Sequence, residues 1–479
     1  MHITSKKYSH YQSVLLGSTL VLLAVLCLAA DARAAELPPA VLEALRAAHI
    51  PLESVGVEVR EVTAGKPLIS INAQQPMNPA STMKLLTTYA GLELLGSAYS
   101  WKTEAYLDGK LDHGVLHGDL ILRGYGDPKF TLEQLWLWLH ELRGRGLREI
   151  HGDLVLDHSA FQLAGHNPAE FDNEPTRPYN TGPDALLINF NAINLRFIPE
   201  GGLVKIVSTP ELADIELVNS VTTTASRVNC ADWDDSIALR LQNNSLVARG
   251  VFPTQCGERE RNFSPLPHPR YLHAVFRVLW KEMGGSLHGT LREGTTPLGA
   301  TLFATHHSPP LSELIRDINK FSNNVMARQL FLSLGGRPET PANLSDSKLA
   351  IASWLSHKDL HFPELVLENG AGLSRQERIS PHSLASLLQS AQLSPLSAEF
   401  ESSLPIVGVD GTLKKRLTDS SAVNHAHLKT GSLEGVQSIA GYVHSRSGKK
   451  WILVFLINHP HAAAGRAAQN ALVESVQQQ

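Results

Sequence analysis

Pro79-Ala80-Ser81-Thr82-Met83-Lys84-Leu85-Leu86-Thr87-Thr88-Tyr89-Ala90-Gly91-Leu92 is the stretch from which the rest of the chain can be read. Met83, Leu85, Leu86, Tyr89, Leu92 and Leu95 follow Ser81 at spacings suited to a buried helix, and Gly96 is placed to be its C-cap. Residues i and i+3 share a helix face, so Ser81 and Lys84 project together and the amine comes within hydrogen-bond reach of the hydroxyl. A serine hydroxyl is a poor nucleophile at neutral pH and needs a base. A lysine desolvated between an apolar helix and other cations loses its proton and can serve. Ser81 is therefore the candidate nucleophile and Lys84 its candidate base.

Alone, the block is weak. Ser345-Asp346-Ser347-Lys348 and Ser447-Gly448-Lys449-Lys450 also spell S-x-x-K, and Ser70-Ile71-Asn72 spells S-x-N. Two further blocks give it weight: Ser322-Asn323-Asn324 and Lys429-Thr430-Gly431 follow Ser81 in that order. The series S-x-x-K, S-x-N, K-T-G is the signature of penicillin-binding proteins and serine β-lactamases, in which the first serine becomes acylated.

The chain has 479 residues, 43% of them hydrophobic, more than one core normally organises, so two or three domains are expected. Its formal charge is -4, without long basic runs or an aromatic-basic stripe, which argues against a nucleic-acid partner. Lys6 and Lys7 precede an apolar run from about Val14 to Ala30, and Ala32-Arg33-Ala34 offers a cleavage site. Residues 1–34 read as a secretory signal peptide and the alternative is a retained anchor; Leu26 before Cys27 disfavours lipoprotein processing. Cys230 and Cys256 remain, in a chain bound for an oxidising compartment, where a disulfide is the natural pairing and two free thiols the alternative. No H-E-x-x-H occurs, and the pairs His306/His307, His425/His427 and His459/His461 read as loop and strand residues, so no metal and no cofactor is expected.

Val55, Val57 and Val59 alternate with Gly56, Glu58 and Arg60 as in a half-buried strand. Near the other end the K-T-G block starts a strand, Ile439 to His444 gives another, and Trp451 to Asn458 returns after the Ser447-Gly448 turn. An alanine-rich helix follows from about Ala462. Strands early and late with helices between them predict an α+β fold whose antiparallel sheet joins its first and last segments. The excursion between, about residues 98 to 280, contains Gly118-Asp119-Leu120 and Gly152-Asp153-Leu154, each preceded by a histidine, which read as repeated edges of one inserted domain. A second, all-β insertion from about Leu187 to Pro265 lies within it, and Tyr271 to Met283 reads as the helix leading back. The expected units are 35–97 and 301–479 for the outer domain, 98–186 with 266–300 for the first insertion, and 187–265 for the nested one.

With these blocks stand Gly124-Tyr125-Gly126-Asp127-Pro128, Asp157 through Phe161, Glu368-Asn369-Gly370-Ala371-Gly372-Leu373-Ser374-Arg375, and Leu404 through Thr412. Together they resemble the penicillin-binding protein 4 type D-alanyl-D-alanine carboxypeptidases, the low-molecular-mass class C penicillin-binding proteins, over nearly the whole mature chain. The resemblance implies a transpeptidase-like domain interrupted by two nested smaller, mainly β domains. It implies a periplasmic enzyme acting on peptidoglycan pentapeptides, often also on cross-links, and acylated by penicillin and other β-lactams.

Under that resemblance Ser322 relays a proton to the leaving nitrogen, and Asn324 orients Lys84 and the substrate backbone. Lys429 helps keep Lys84 neutral, Thr430 binds the terminal carboxylate, and Gly431 lets the substrate lie close. The backbone N–H groups of Ser81 and Ser432 form the oxyanion hole. Asp157, Phe161 and Arg375 match residues that contact the diaminopimelate side chain in relatives. Asn323, Ala371 and Glu434 stand where relatives have aspartate, serine and, in some, glutamine. The rival readings are a peptidoglycan-binding scaffold without turnover, against which the intact motif set argues, and a β-lactamase, which the large insertions fit less well.

Overall fold

A computed structural model describes residues 36–226, 229–336 and 340–479, so the segment read as a signal peptide lies outside the described residues. Among the described residues no helix is long and apolar enough to cross a membrane.

The first and last segments meet as expected. Val55–Glu61 pairs antiparallel with Lys450–Asn458, placing Val57 opposite Phe455. The five-stranded sheet runs Ala426–Leu433, Val436–His444, Lys450–Asn458, Val55–Glu61, Ile69–Ile71, so the strand carrying K-T-G is at an edge. That strand begins at Ala426, three residues before the block expected to start it.

Both faces of this sheet are covered. On one, Leu86 and Tyr89 of the nucleophile helix and Leu384 and Leu388 of Pro381–Leu393 pack against Tyr442, Ile452 and Val454. On the other, Val41 and Leu45 of Pro39–Ala47 and Leu472 and Val473 of Arg466–Gln477 pack against Val57, Val59, Leu453 and Phe455. The first strand is therefore buried on both sides, against the expectation of a half-buried one. Its polar face is accommodated because Glu58 accepts from Arg60 and lies against His382. Each fully buried aliphatic side chain contributes about 1.5–3 kcal/mol, so the sheet is a rigid platform for the edge strand.

The excursion builds its own core. A seven-stranded sheet takes Lys102–Asp112, Val115–Gly124, Glu149–Ile150, Leu154–Asp157, Ser286–Leu287, Leu291–Glu293 and Thr301–His307. Thr301–His307, expected in the outer domain, thus pairs with Lys102–Leu107 of the insertion instead. The two Gly-Asp-Leu segments are not edges: Leu120 to Arg123 lies parallel beside Leu154 to Asp157 within the sheet. Between them in sequence and the return helix His268–Glu282 lie two three-stranded sheets, all their strands within residues 193–263. Cys230 and Cys256 are joined there as a disulfide.

Candidate active site

Ser81 sits on a short 3-10 turn, Ala80–Met83, that runs directly into the helix Lys84–Leu95. The turn is held from several sides. Asn78 exchanges hydrogen bonds with Asn458 on the last sheet strand, its Oδ1 accepts from Ala80 N, and Pro79 O accepts from the hydroxyls of Thr82 and Ser438. Ala80 adopts φ +46°, a conformation that this network fixes.

Lys84 is fully buried, and its Nζ donates to Ser81 Oγ at 2.9 Å, to Asn324 Oδ1 at 2.6 Å and to the carbonyl of Ala371 at 2.5 Å. Burial holds its ammonium well below the usual lysine range; the charges of Lys429 and Arg328 push the same way, and Glu377 opposes them. A lysine so placed is available as a base.

Asn324 opens the helix Asn324–Ser333, whose N-cap is Asn323, the side chain accepting from Met326 N at 3.0 Å. Asparagine at this departure from the family pattern thus caps as well as aspartate would. Ser322, just before it, is held at φ +56°, and its Oγ accepts from Lys429 Nζ at 2.8 Å. Lys429 is also fully buried, which pushes its amine down to about 7. Ser81, Lys84, Ser322, Asn324 and Lys429 therefore form two hydrogen-bonded sets: a trio of Lys84 with Ser81 and Asn324, and a pair of Lys429 with Ser322.

The edge strand borders this group. Pro405–Val407 covers its outer side, with Leu428 N donating to Pro405 O and Val407 N to Ala426 O, and that pairing ends at Leu428. Antiparallel alternation then turns the main-chain groups of Thr430 and Ser432 outward. A Cβ at Gly431 would stand 2.7 Å from Ser81 N and 2.8 Å from Pro79 O, so only glycine lets the strand approach the nucleophile turn this closely. Thr430 Oγ1 lies 2.8 Å from Thr412 Oγ1, and Thr412 is kept in place because Lys320 grips its loop through Asp410 and the carbonyl of Leu404.

Three groups here carried no signal in the sequence reading. Thr412 lay inside a quoted family stretch but had no role assigned. Ala371 contributes only its carbonyl, which no side-chain pattern reveals. Glu377 is fully buried, and its Oε1 accepts from the backbone N–H of Glu368, Asn369 and Gly370 at 3.0–3.1 Å, fixing the loop that carries Ala371.

The outlying positions divide. Arg375 Nη1 donates to Glu434 O at 3.0 Å, and its guanidinium lies 4.8 Å from the ring of Phe171, which belongs to the insertion. Phe161 packs over Gly126 and bridges to Ala342. Asp157 is fully buried, one oxygen accepting from Ser159 N and the other from Thr296 N and Thr296 Oγ1, with Arg123 3.6 Å away. A carboxylate already supplied with these donors anchors its loop. Asp157 thus has internal partners on both oxygens.

Residues 39–479 match the D-Ala-D-Ala carboxypeptidase 3 (S13) family. The chain is 29% identical over 411 residues to D-alanyl-D-alanine carboxypeptidase DacB of Haemophilus influenzae, covering 85% of each protein. It is 27% identical over 441 residues to D-alanyl-D-alanine carboxypeptidase of Actinomadura sp. strain R39, covering 87% of this chain and 80% of that one. The crystal structure of penicillin binding protein 4 (dacB) from Haemophilus influenzae superposes with a TM-score of 0.75 at 27% identity, over 91% of this chain and 99% of that one. The chain therefore belongs to the D-Ala-D-Ala carboxypeptidase 3 (S13) family.

Proposed function

We propose that the protein is a serine-type D-alanyl-D-alanine carboxypeptidase that cleaves peptidoglycan stem peptides through a Ser81 acyl-enzyme, and that it also opens cross-links as a DD-endopeptidase. The observation that carries this reading is the buried Lys84 amine, 2.9 Å from Ser81 Oγ and held by two further acceptors.

Lys84 takes the Ser81 proton as the hydroxyl attacks the carbonyl between the two D-alanines. The outward N–H of Ser432 and the N–H of Ser81 receive the developing oxyanion; one such donor is worth on the order of 10² to 10³ in rate. Ser322, hydrogen-bonded to Lys429, relays the proton that Lys84 took from Ser81 to the leaving nitrogen, which returns Lys84 to its neutral form; such assistance is worth roughly 10² to 10⁴. Thr430, with Thr412 beside it, binds the terminal carboxylate. Water then hydrolyses the ester. A β-lactam presents a reactive amide to the same serine; a complex of the Haemophilus influenzae protein with a β-lactam superposes on this chain with a TM-score of 0.72 at 26% identity.

Arg375 and Phe161 are proposed to meet the stem-peptide side chain. Glu434, 91% exposed, adds a carboxylate beside Arg375, which favours a substrate bearing a cationic amine. Equal turnover with and without that amine would count against it. By sheet membership we assign 36–97 and 308–479 to the transpeptidase-like domain, and the rest to the two nested domains. The proposed location is the periplasm.

The test is intact mass after exposure to benzylpenicillin, for the enzyme and its Ser81→Ala variant, followed by D-alanine release from a diaminopimelate pentapeptide. One penicilloyl adduct and release by the parent alone is the expected result. No adduct on either protein would return the reading to a non-catalytic scaffold.

A further inference from the structure

His117-Gly118-Asp119-Leu120, His151-Gly152-Asp153-Leu154 and His288-Gly289-Thr290-Leu291 repeat one pattern, His-Gly-(Asp or Thr)-Leu, on three neighbouring segments of the inserted sheet. The copies are in parallel register: Leu116 and Leu287 both pair with Ile150, and Leu120 and Leu291 both pair with Leu154. His151 N donates to Leu116 O, and His288 N to Ile150 O. The glycines make this close approach possible, since a Cβ at Gly152 would stand 2.4 Å from Gly118 O and one at Gly289 2.2 Å from Gly152 O. The three imidazoles consequently form a row, with ring centroids 5.1 Å apart from His117 to His151 and 5.2 Å from His151 to His288.

At one end of the row the Nε2 atoms of His151 and His288 converge on a single oxygen, Glu149 Oε1, at 3.0 and 2.7 Å. We infer that Glu149, His151 and His288 form a binding site for a divalent transition-metal cation of the zinc class, tying the outgoing strand of the insertion to its returning strand.

The donor set is two imidazole nitrogens and one carboxylate oxygen, which suits zinc, with a fourth position open to water. Tetrahedral ligands about 2.0–2.1 Å from zinc lie roughly 3.3 Å from one another; here the two imidazole nitrogens lie 3.0 and 2.7 Å from the carboxylate oxygen, and all three ligand atoms lie within 4.8 Å of one another. Each imidazole then carries its proton on Nδ1 and offers the Nε2 lone pair. All three side chains are 35–55% exposed, which leaves the site open to entering metal. Among the described residues, the other group of comparable composition, Glu401, His427 and His444, is less suited, because Glu401 already accepts from the Lys450 ammonium at 2.6 Å. Glu149 and His288 are 139 residues apart in sequence, so a shared metal would cross-link the part of the insertion before its nested domain to the part after it.

The experiment is a titration of metal-stripped enzyme with zinc chloride against a chromophoric chelator, repeated on His151→Ala, His288→Ala and His444→Ala. Penicillin acylation of each variant checks its fold. One equivalent bound by the parent, weakened at least tenfold in the first two variants and unchanged in the third, is expected. Zinc should also raise the melting temperature of the parent and not of His288→Ala. Absence of stoichiometric binding, or binding that survives both the His151 and His288 changes or depends on His444, overturns the assignment.

Discussion

Replacing Glu377 by glutamine should make acylation faster at acidic pH. Glu377 is buried, which raises its carboxyl above the usual range while three backbone N–H donors oppose the rise; where it is ionised, its charge stabilises the Lys84 ammonium, which must lose its proton before Ser81 can attack. The bonded path from Glu377 to Lys84 runs through Gly370 N at 3.1 Å and Ala371 O at 2.5 Å, with one dipeptide between, so the two charges lie within roughly 12 Å. At an effective dielectric near 20, a unit charge at that distance is worth about 1.4 kcal/mol, a tenfold change in the neutral fraction of Lys84. Glutamine keeps an oxygen for the three backbone donors and removes the charge. Acylation by a fluorescent penicillin, followed from pH 5 to 8, should therefore rise by up to about tenfold on the part of the acid limb where Glu377 is ionised, and change little where Glu377 is protonated or Lys84 already neutral. Glu377→Ala is the companion variant: it strands three loop N–H donors, each costing about 1–3 kcal/mol where buried, and should lose acylation at every pH. An acid limb that stays in place in a Glu377→Gln variant melting like the parent would refute the reasoning.

Gly431→Ala should slow acylation by on the order of 10² or more, because its Cβ would press on Ser438 Oγ, Ser81 N and Pro79 O and shift an oxyanion donor; stopped-flow acylation is the check, and a parent-like rate would contradict the packing. Lys429 is pushed by burial to about 7 from its ordinary 10.5, so between those values the unfolded chain holds a proton that the folded chain lacks. Stability from this group is then absent below pH 7 and grows as pH rises, and Lys429→Met should flatten the rise in melting temperature between pH 7 and 9. Opening the Cys230–Cys256 bridge, whose cysteines are 26 residues apart, should cost about 3.5 kcal/mol by the loop-entropy relation. A double Cys→Ser variant should accordingly melt lower while its benzylpenicillin adduct still forms.

The candidate catalytic group was legible because its residues carry their chemistry in side chains at fixed local spacing: Ser81 and Lys84 one helical turn apart, Ser322 and Asn324 at a helix start, Lys429 to Gly431 on one strand. What escaped was supplied by the backbone or by distant partners. The Ala371 carbonyl has no side-chain signature, and Glu377 differs from a surface glutamate only through the loop that folds over it. Val55 to Arg60 alternated as a half-buried strand does, yet Glu58 and Arg60 are buried as partners of one another, a pairing that composition at period two does not disclose. The Thr296 donors to Asp157 come from 139 residues further along the chain and were equally invisible in the sequence. The pairing of Thr301–His307 with Lys102–Leu107 was not legible either, because its partners lie about 200 residues apart.

An open sheet edge is ordinarily an invitation to any passing strand. Here the covering segment Pro405–Val407 stops at Leu428, and the strand itself ends at Leu433. The uncovered length is about four residues, or roughly 13 Å. A peptide laid along it runs into the covering segment at one side and so occupies a cul-de-sac. A long polypeptide threading past would have to climb over that wall, whereas a chain that finishes there fits. Under the proposed role of Thr430, the carboxylate of a substrate would come to rest against that wall, and the free backbone left along this edge is short.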